Sequence, residues 1–164
     1  MAPLPAGNGP LIREPVPPKP PEPARWHRYF LPATTDAATF SIKDLTIRIA
    51  GVTRPQRAIP AQRWEAGIGR AGRTALFALR RFLHGRAVEC FFPYAEGVTS
   101  VIAPCRVGET DLGLWLLTAG WARPGKLATD AYMAAANAAE CDRLGLWQGE
   151  APPASCPSSD QAKG

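Results

Sequence analysis

From residue 39 onward, apolar and polar positions repeat with two different periods. Alternation over residues 45–51 puts Ile47, Ile49 and Gly51 on one face and Thr46, Arg48 and Ala50 on the other, the pattern of a strand buried on one side. Residues 39–42 read as the preceding strand. Lys43-Asp44 between them has the spacing of a hairpin turn, although the usual glycine is absent. Pro55 stops the run, because it has no N–H to give to a ladder. A helical period takes over at 73–83, where Leu76, Leu79 and Leu83 form an apolar stripe with Phe82 beside it. Arg73, Arg80 and Arg81 lie on the other side and Gly85 closes the helix. Residues 87–92 and 98–107 read as a second hairpin around Tyr94-Ala95-Glu96-Gly97. Thr110-Asp111 caps a short helix through Leu117, ended by Gly120. Trp121-Ala122 is a short extended piece. Thr129-Asp130 opens an alanine-rich helix through Leu144, and Leu146-Trp147 folds back after Gly145 as an apolar clasp. This order of elements predicts an α+β fold, a small five-stranded β-barrel with about three helices at its base and side.

The flanks break both periods. Residues 1–36 form a head crowded with Pro15, Pro17, Pro18, Pro20, Pro21 and Pro23, which resists helix and sheet and favours extended polyproline II. The expectation is a disordered tether; the sharper alternative is a ligand for a proline-recognising module. Within it Arg25-Trp26-His27-Arg28-Tyr29-Phe30 mixes aromatic and basic groups, which either stack on nucleobases or pack along the flank of the domain. Residues 37–149 are the expected domain and 150–164 a flexible tail. Residues 54–72 read as a long loop, with Pro55, Pro60, Gly67, Gly69 and Gly72, pinned to the body by Trp64.

Composition narrows the function classes. A chain of 164 residues that is 46% hydrophobic suits one domain with a core, plus tails. No apolar run approaches the ~20 residues of a membrane helix, and no basic start followed by an apolar stretch marks a signal peptide. A net charge of +5 and a pI near 9.3 favour anionic partners such as nucleic acid. The four cysteines allow one or two disulfides or free thiols. Symmetric pairing of the second hairpin sets Cys90 opposite Cys105, so a cross-strand disulfide is expected, with two buried thiols as the alternative. Cys141 and Cys156 read as unpaired, or joined loosely at the C-terminus. No Cys-x-x-Cys occurs, and His27 and His84 lack ligand spacing, so no zinc site is read.

Arg48 is the chemical oddity of the anchor strand. A guanidinium midway along an apolar strand is costly to bury unless an anion meets it, so it pairs with an internal carboxylate or faces a cleft. Between Lys43 and Arg86 the only acids are Asp44 and Glu65. If Arg54, Arg57, Arg63, Arg70 and Arg73 share one side they form an anion-binding surface; otherwise they are solvated charges on several faces.

The segment Arg48-Ile49-Ala50-Gly51-Val52-Thr53-Arg54-Pro55-Gln56 resembles the Arg-Leu-x-Gly-Ile-Asp-x-Pro-Glu segment of the staphylococcal nuclease-like (thermonuclease) family. The resemblance runs over about residues 39–147. It continues through Gly72-Arg73-Thr74-Ala75-Leu76 and Gly85-Arg86-Ala87-Val88, through Asp111 to Ala122, similar to the family's Leu-Asn-x-x-Leu-Val-x-x-Gly-Leu-Ala, and through Tyr132, Ala139 and Gly145-Leu146-Trp147. It implies an OB-like barrel and, in the family, calcium-dependent cleavage of DNA and RNA phosphodiesters. That chemistry needs carboxylates for the cation, one carboxylate for water and two arginines for the phosphate. Arg48 matches the first arginine. Thr53 stands where the family has a calcium-binding Asp, and Gln56 stands where it has the catalytic Glu. The first calcium Asp corresponds to Asp36 or, in another register, Asp44, and Thr99 or a neighbour occupies the place of the second arginine.

The resulting expectation is a thermonuclease-like protein whose catalytic set is degraded, with binding of single-stranded nucleic acid or another polyanion retained, no membrane insertion and no cofactor. One alternative is an active nuclease that uses calcium through relocated carboxylates, Glu65 first; another is a structural or partner-binding domain. A hairpin disulfide suits an exported protein, as many relatives are.

Overall fold

The computed structural model describes residues 13–20, 22–53 and 70–158, and the side chains of residues 70 and 71 are outside the description. The fold is α+β. In chain order the strands and helices are β1 (Arg25–Phe30), β2 (Ala33–Asp36), β3 (Thr39–Ile42), β4 (Leu45–Ile49), β5 (Val52–Thr53), α1 (Arg70–Leu83), β6 (Ala87–Phe92), β7 (Ser100–Ala103), β8 (Cys105–Val107), β9 (Thr110–Asp111), α2 (Leu112–Thr118), β10 (Arg123–Pro124) and α3 (Asp130–Cys141), followed by a 3₁₀ turn at Gly145–Trp147. Among the described residues the strands lie in three sheets: β1-β6-β8-β9, β2-β3-β4-β7, and the ribbon β10-β5. Every ladder is antiparallel except β4 with β7.

The β3–β4 hairpin forms as the alternation predicts. Ile42 pairs with Leu45 and Phe40 with Ile47, so both large side chains are fully buried. Lys43 takes the positive φ, 51°, that the turn normally gives to glycine. The core is built from Phe40, Ile47 and Ile49 of these strands, Leu79 of α1, Val88 of β6 and Leu112, Leu116 and Leu117 of α2. Both predicted caps form: Asp111 Oδ1 accepts the Leu114 N–H at 3.0 Å, and Thr129 Oγ1 accepts the Tyr132 N–H at 3.2 Å.

Several bounds differ from the sequence reading, each for a local reason. Ordered pairing begins upstream of residue 37: β1 runs antiparallel to β6 and β2 to β3, inside the stretch read as a proline-rich tether. The last proline of the crowded run is Pro23, so nothing from Arg25 on denies the ladder its donors until Pro32. α1 starts at Arg70, before Gly72, because the buried stripe of Ala75, Leu79 and Leu83 outweighs one glycine in the first turn. The second hairpin is not a simple one. Its return arm breaks at Pro104, so that β7 pairs in parallel with β4 while β8 pairs with β6. Proline cannot donate, and Pro104 contributes only its carbonyl, which accepts the Phe91 N–H at 2.9 Å. The short strand after α2 is Arg123–Pro124 rather than Trp121-Ala122, and α3 ends at Cys141, short of Leu144, because Arg143 turns to φ 53°.

Two disulfides close the structure. Cys90 and Cys105 are register partners on β6 and β8 and are bridged, as the sequence predicts. Cys141 and Cys156 are also bridged, which ties the C-terminal segment to the end of α3 instead of leaving those thiols free. The loops that follow α2 and α3 touch backbone to backbone. A Cβ on Gly120 would lie 2.4 Å from the Leu144 carbonyl oxygen, and the Leu146 N–H donates to the Gly120 carbonyl at 2.8 Å. This contact needs glycine on both sides, since a Cβ on Gly145 would lie 2.5 Å from the Gly120 oxygen.

Candidate functional site

The anchor segment is fixed at its turn. After β4 the chain reverses at Ala50 and Gly51, with Gly51 at φ 81° and its carbonyl accepting the Gly125 N–H at 2.8 Å. A Cβ on Gly51 would meet the Tyr132 ring at 2.8 Å, so the residue must be glycine for two reasons, conformation and space. Gly113 on α2 has the same neighbour, with its ideal Cβ 2.5 Å from the Tyr132 hydroxyl. The hydroxyl donates to Asp111 Oδ1 at 2.5 Å. Tyr132 of α3 is therefore held between the β4–β5 turn and the start of α2. Burial raises its pKa, and the hydrogen bond and charge of Asp111 raise it further, so the phenol stays neutral and donates.

Arg48 is exposed on the outer face of β4. It lies in a cross-strand row with Thr39 of β3 and Ile102 of β7, and Asp36 of β2 pairs with Thr39 one strand further out. Strand spacing puts the Arg48 and Asp36 backbones about 10 Å apart. Among the described residues no carboxylate forms an ion pair with Arg48, so the internal pair considered from sequence is absent there. Asp36 and Asp44, the alternatives for the first acid, separate by position. Asp44 sits in the turn at the far end of the β3–β4 hairpin, whereas Asp36 belongs to the Arg48 row. Asp36 Oδ1 accepts the Ala38 N–H at 2.8 Å, which shapes the β2–β3 turn.

Thr53 is exposed and has Arg123 as its ladder partner. Its hydroxyl donates to the Arg123 carbonyl at 3.5 Å. The Arg123 guanidinium lies 4.8 Å from the centroid of the Trp147 ring, so at Thr53 the pair offers a neutral hydroxyl and a carbonyl, a poor place for a divalent cation, which needs anionic oxygen. Among the described residues no group of three or more histidine, cysteine or acidic side chains could hold a metal ion. Thr99 is exposed and uses its carbonyl to accept the Thr46 N–H at 2.8 Å, so no guanidinium enters the row from that position. Arg73 is exposed in the first turns of α1, and Arg70 opens that helix with its side chain outside the description. Gln56, Glu65, Arg54, Arg57 and Arg63 lie outside the described residues.

Among the described residues the arrangement offers the exposed Arg48 guanidinium on a hydroxyl-rich strand face, where Thr39, Ser41 and Thr46 share the outward side with it. That combination suits a phosphate oxygen, which accepts from both group types. The sequence missed three elements around it: the Asp111–Tyr132 bond, Arg123 opposite Thr53, and the Arg80 side chain, whose Nε donates to Thr34 Oγ1 at 2.9 Å and fastens α1 to β2. The first had a signal, a capping Asp followed by a Tyr at the start of the next helix; the other two depend on long-range pairing. Neither the family models nor the curated proteins compared with this chain match it.

Proposed function

We propose that this chain is a thermonuclease-like domain that binds single-stranded nucleic acid or a similar polyanion at the Arg48 face without the family's catalysis. The strand pairing supports the barrel part of this proposal. β1 and β2 are separated by Leu31 and Pro32 alone, and β7 and β8 by Pro104 alone. Treating each pair as one bent strand links the two four-stranded sheets in the order β1/β2, β3, β4, β7/β8, β6 and back to β1. That order supports reading the two sheets as a five-stranded, OB-like ring with two proline corners.

The observation that carries the functional part is the state of the anchor strand. Arg48 is exposed and without a carboxylate ion pair among the described residues, while Thr53 faces Arg123 where the family resemblance calls for an acid. Gln56 cannot take a proton at neutral pH. Loss of a general base costs roughly 10²–10⁴ in rate, and loss of a transition-state donor costs a similar factor. Phosphate binding through one arginine and neighbouring hydroxyls survives those losses. Two disulfides favour an oxidising compartment for the protein.

The test is cleavage of single-stranded DNA with calcium and with chelator, for wild type and Arg48→Ala. The expected result is no calcium-dependent cleavage by either protein. Cleavage that chelator abolishes and Arg48→Ala removes would sink the proposal and direct attention to a relocated carboxylate.

A further inference from the structure

The outer face of the β1–β6–β8–β9 sheet carries a set of exposed aromatic and basic groups, away from the Arg48 row. Alternate residues of β1 put Trp26, Arg28 and Phe30 on this face, and their ladder partners on β6 are Phe91, Glu89 and Ala87. Arg106 of β8 is the partner of Glu89 and forms an ion pair with it at 3.2 Å. The aromatic side chains are not sunk into the core: Trp26 is 40% exposed, Phe91 38% and Phe30 72%. Guanidinium groups interleave with them. Arg106 lies 3.8 Å from the centroid of the Trp26 ring, and Arg28 lies 5.2 Å from that of Phe30. The Trp26 and Phe91 rings are neighbours, with centroids 5.3 Å apart and planes at 52°. Arg106 Nε is buried and has no acceptor among the described residues.

We infer that this face is a base-stacking platform for single-stranded nucleic acid, with Trp26 and Phe91 receiving bases, Arg106 backing the Trp26 ring and Arg28 facing phosphate. The occupant follows from chemistry. Along the row Arg28, Glu89, Arg106 and Asp111 two cations meet two carboxylates, but Glu89 is paired with Arg106 and Asp111 Oδ1 accepts from the Leu114 N–H and the Tyr132 hydroxyl, so among the described residues Arg28 is the cation of this row left for a phosphate, and exposed rings alternate with cations at the spacing of adjacent strands. A purely apolar partner would leave Arg28 desolvated and unpaired. The inference rests on the nucleic-acid reading of the Arg48 face and adds a subsite that recognises bases rather than backbone.

The experiment compares a labelled oligothymidylate with an abasic oligomer of the same length and charge, by fluorescence anisotropy on the full chain. Wild type should prefer the oligothymidylate by about ten-fold or more. The Trp26→Ala/Phe91→Ala variant should lose that preference while still binding the abasic oligomer. Tryptophan quenching provides a measurement on proteins with the ring packing kept. Oligothymidylate should quench wild type more than Trp26→Phe, and the abasic oligomer should not separate them. Equal wild-type binding of both oligomers would overturn the stacking platform and leave the Arg48 reading standing. No binding of either would overturn both.

Discussion

Tyr132 is the residue on which the site's geometry turns. Its ring occupies the space that a Cβ on either Gly51 or Gly113 would take, and its hydroxyl reaches the carboxylate that caps α2. Two predictions belong at this scale. Gly51→Ala combines a left-handed backbone with a clash against the Tyr132 ring and should cost about 2–3 kcal/mol. Gly85→Ala has a similar φ, 70°, but nothing within 4 Å of the new Cβ. It should cost only about 1 kcal/mol. Paired urea titrations check the difference; equal losses would mean that the ring yields freely. Tyr132→Phe removes a hydrogen bond to a carboxylate, but Asp111 is exposed and water can replace the phenol. The cost should fall near the lower end of the range for such bonds, about 1.5 kcal/mol. Folding raises the phenol's pKa above its ordinary value near 10, so its contribution is fully present below that pH and is lost as pH rises beyond it. Tyr132→Phe should therefore flatten the alkaline fall of stability above pH 10, and an unchanged alkaline limb would refute the assignment.

At the scale of elements, local signals were readable and distant pairings were not. The β3–β4 hairpin and the caps of α2 and α3 depend on residues within a few positions of each other, and the sequence shows them. The split of β7 from β8 was hidden because β7's partner is β4, more than 50 residues earlier. β1 escaped notice because its outward positions are Trp26 and Phe30, so alternation of polar and apolar residues is blurred there. The disulfides differ in access and not in loop length. Both close a separation of 15 residues, worth roughly 3 kcal/mol each in the chain-entropy model. Cys90 and Cys105 are buried, whereas Cys141 and Cys156 are partly exposed. Limited reduction under native conditions, followed by alkylation and mass mapping, should label Cys141 and Cys156 first; simultaneous labelling of all four would contradict this order.

At the scale of the whole molecule, β1 is the first strand among the described residues. Truncation up to residue 24 leaves every ladder among the described residues intact and should move the melting temperature by only a few degrees. Truncation through Asp36 removes β1 and β2, bares one edge each of β6 and β3, and should abolish cooperative unfolding. The α+β class was legible because helix and strand periods are distinct along the chain. The candidate site was legible only in part. Arg48 and Gly51 declare themselves in one short stretch, but the environment of Thr53 depends on Arg123, 70 residues away.

The role proposed for Arg48 is to hold an anionic ligand. The most direct measurement is the affinity of wild type and Arg48→Ala for single-stranded DNA as a function of salt. Wild-type affinity should fall log-linearly with salt, and Arg48→Ala should bind more weakly with a slope shallower by about 0.7, the loss of one phosphate contact. Identical slopes and affinities for the two proteins would contradict that role.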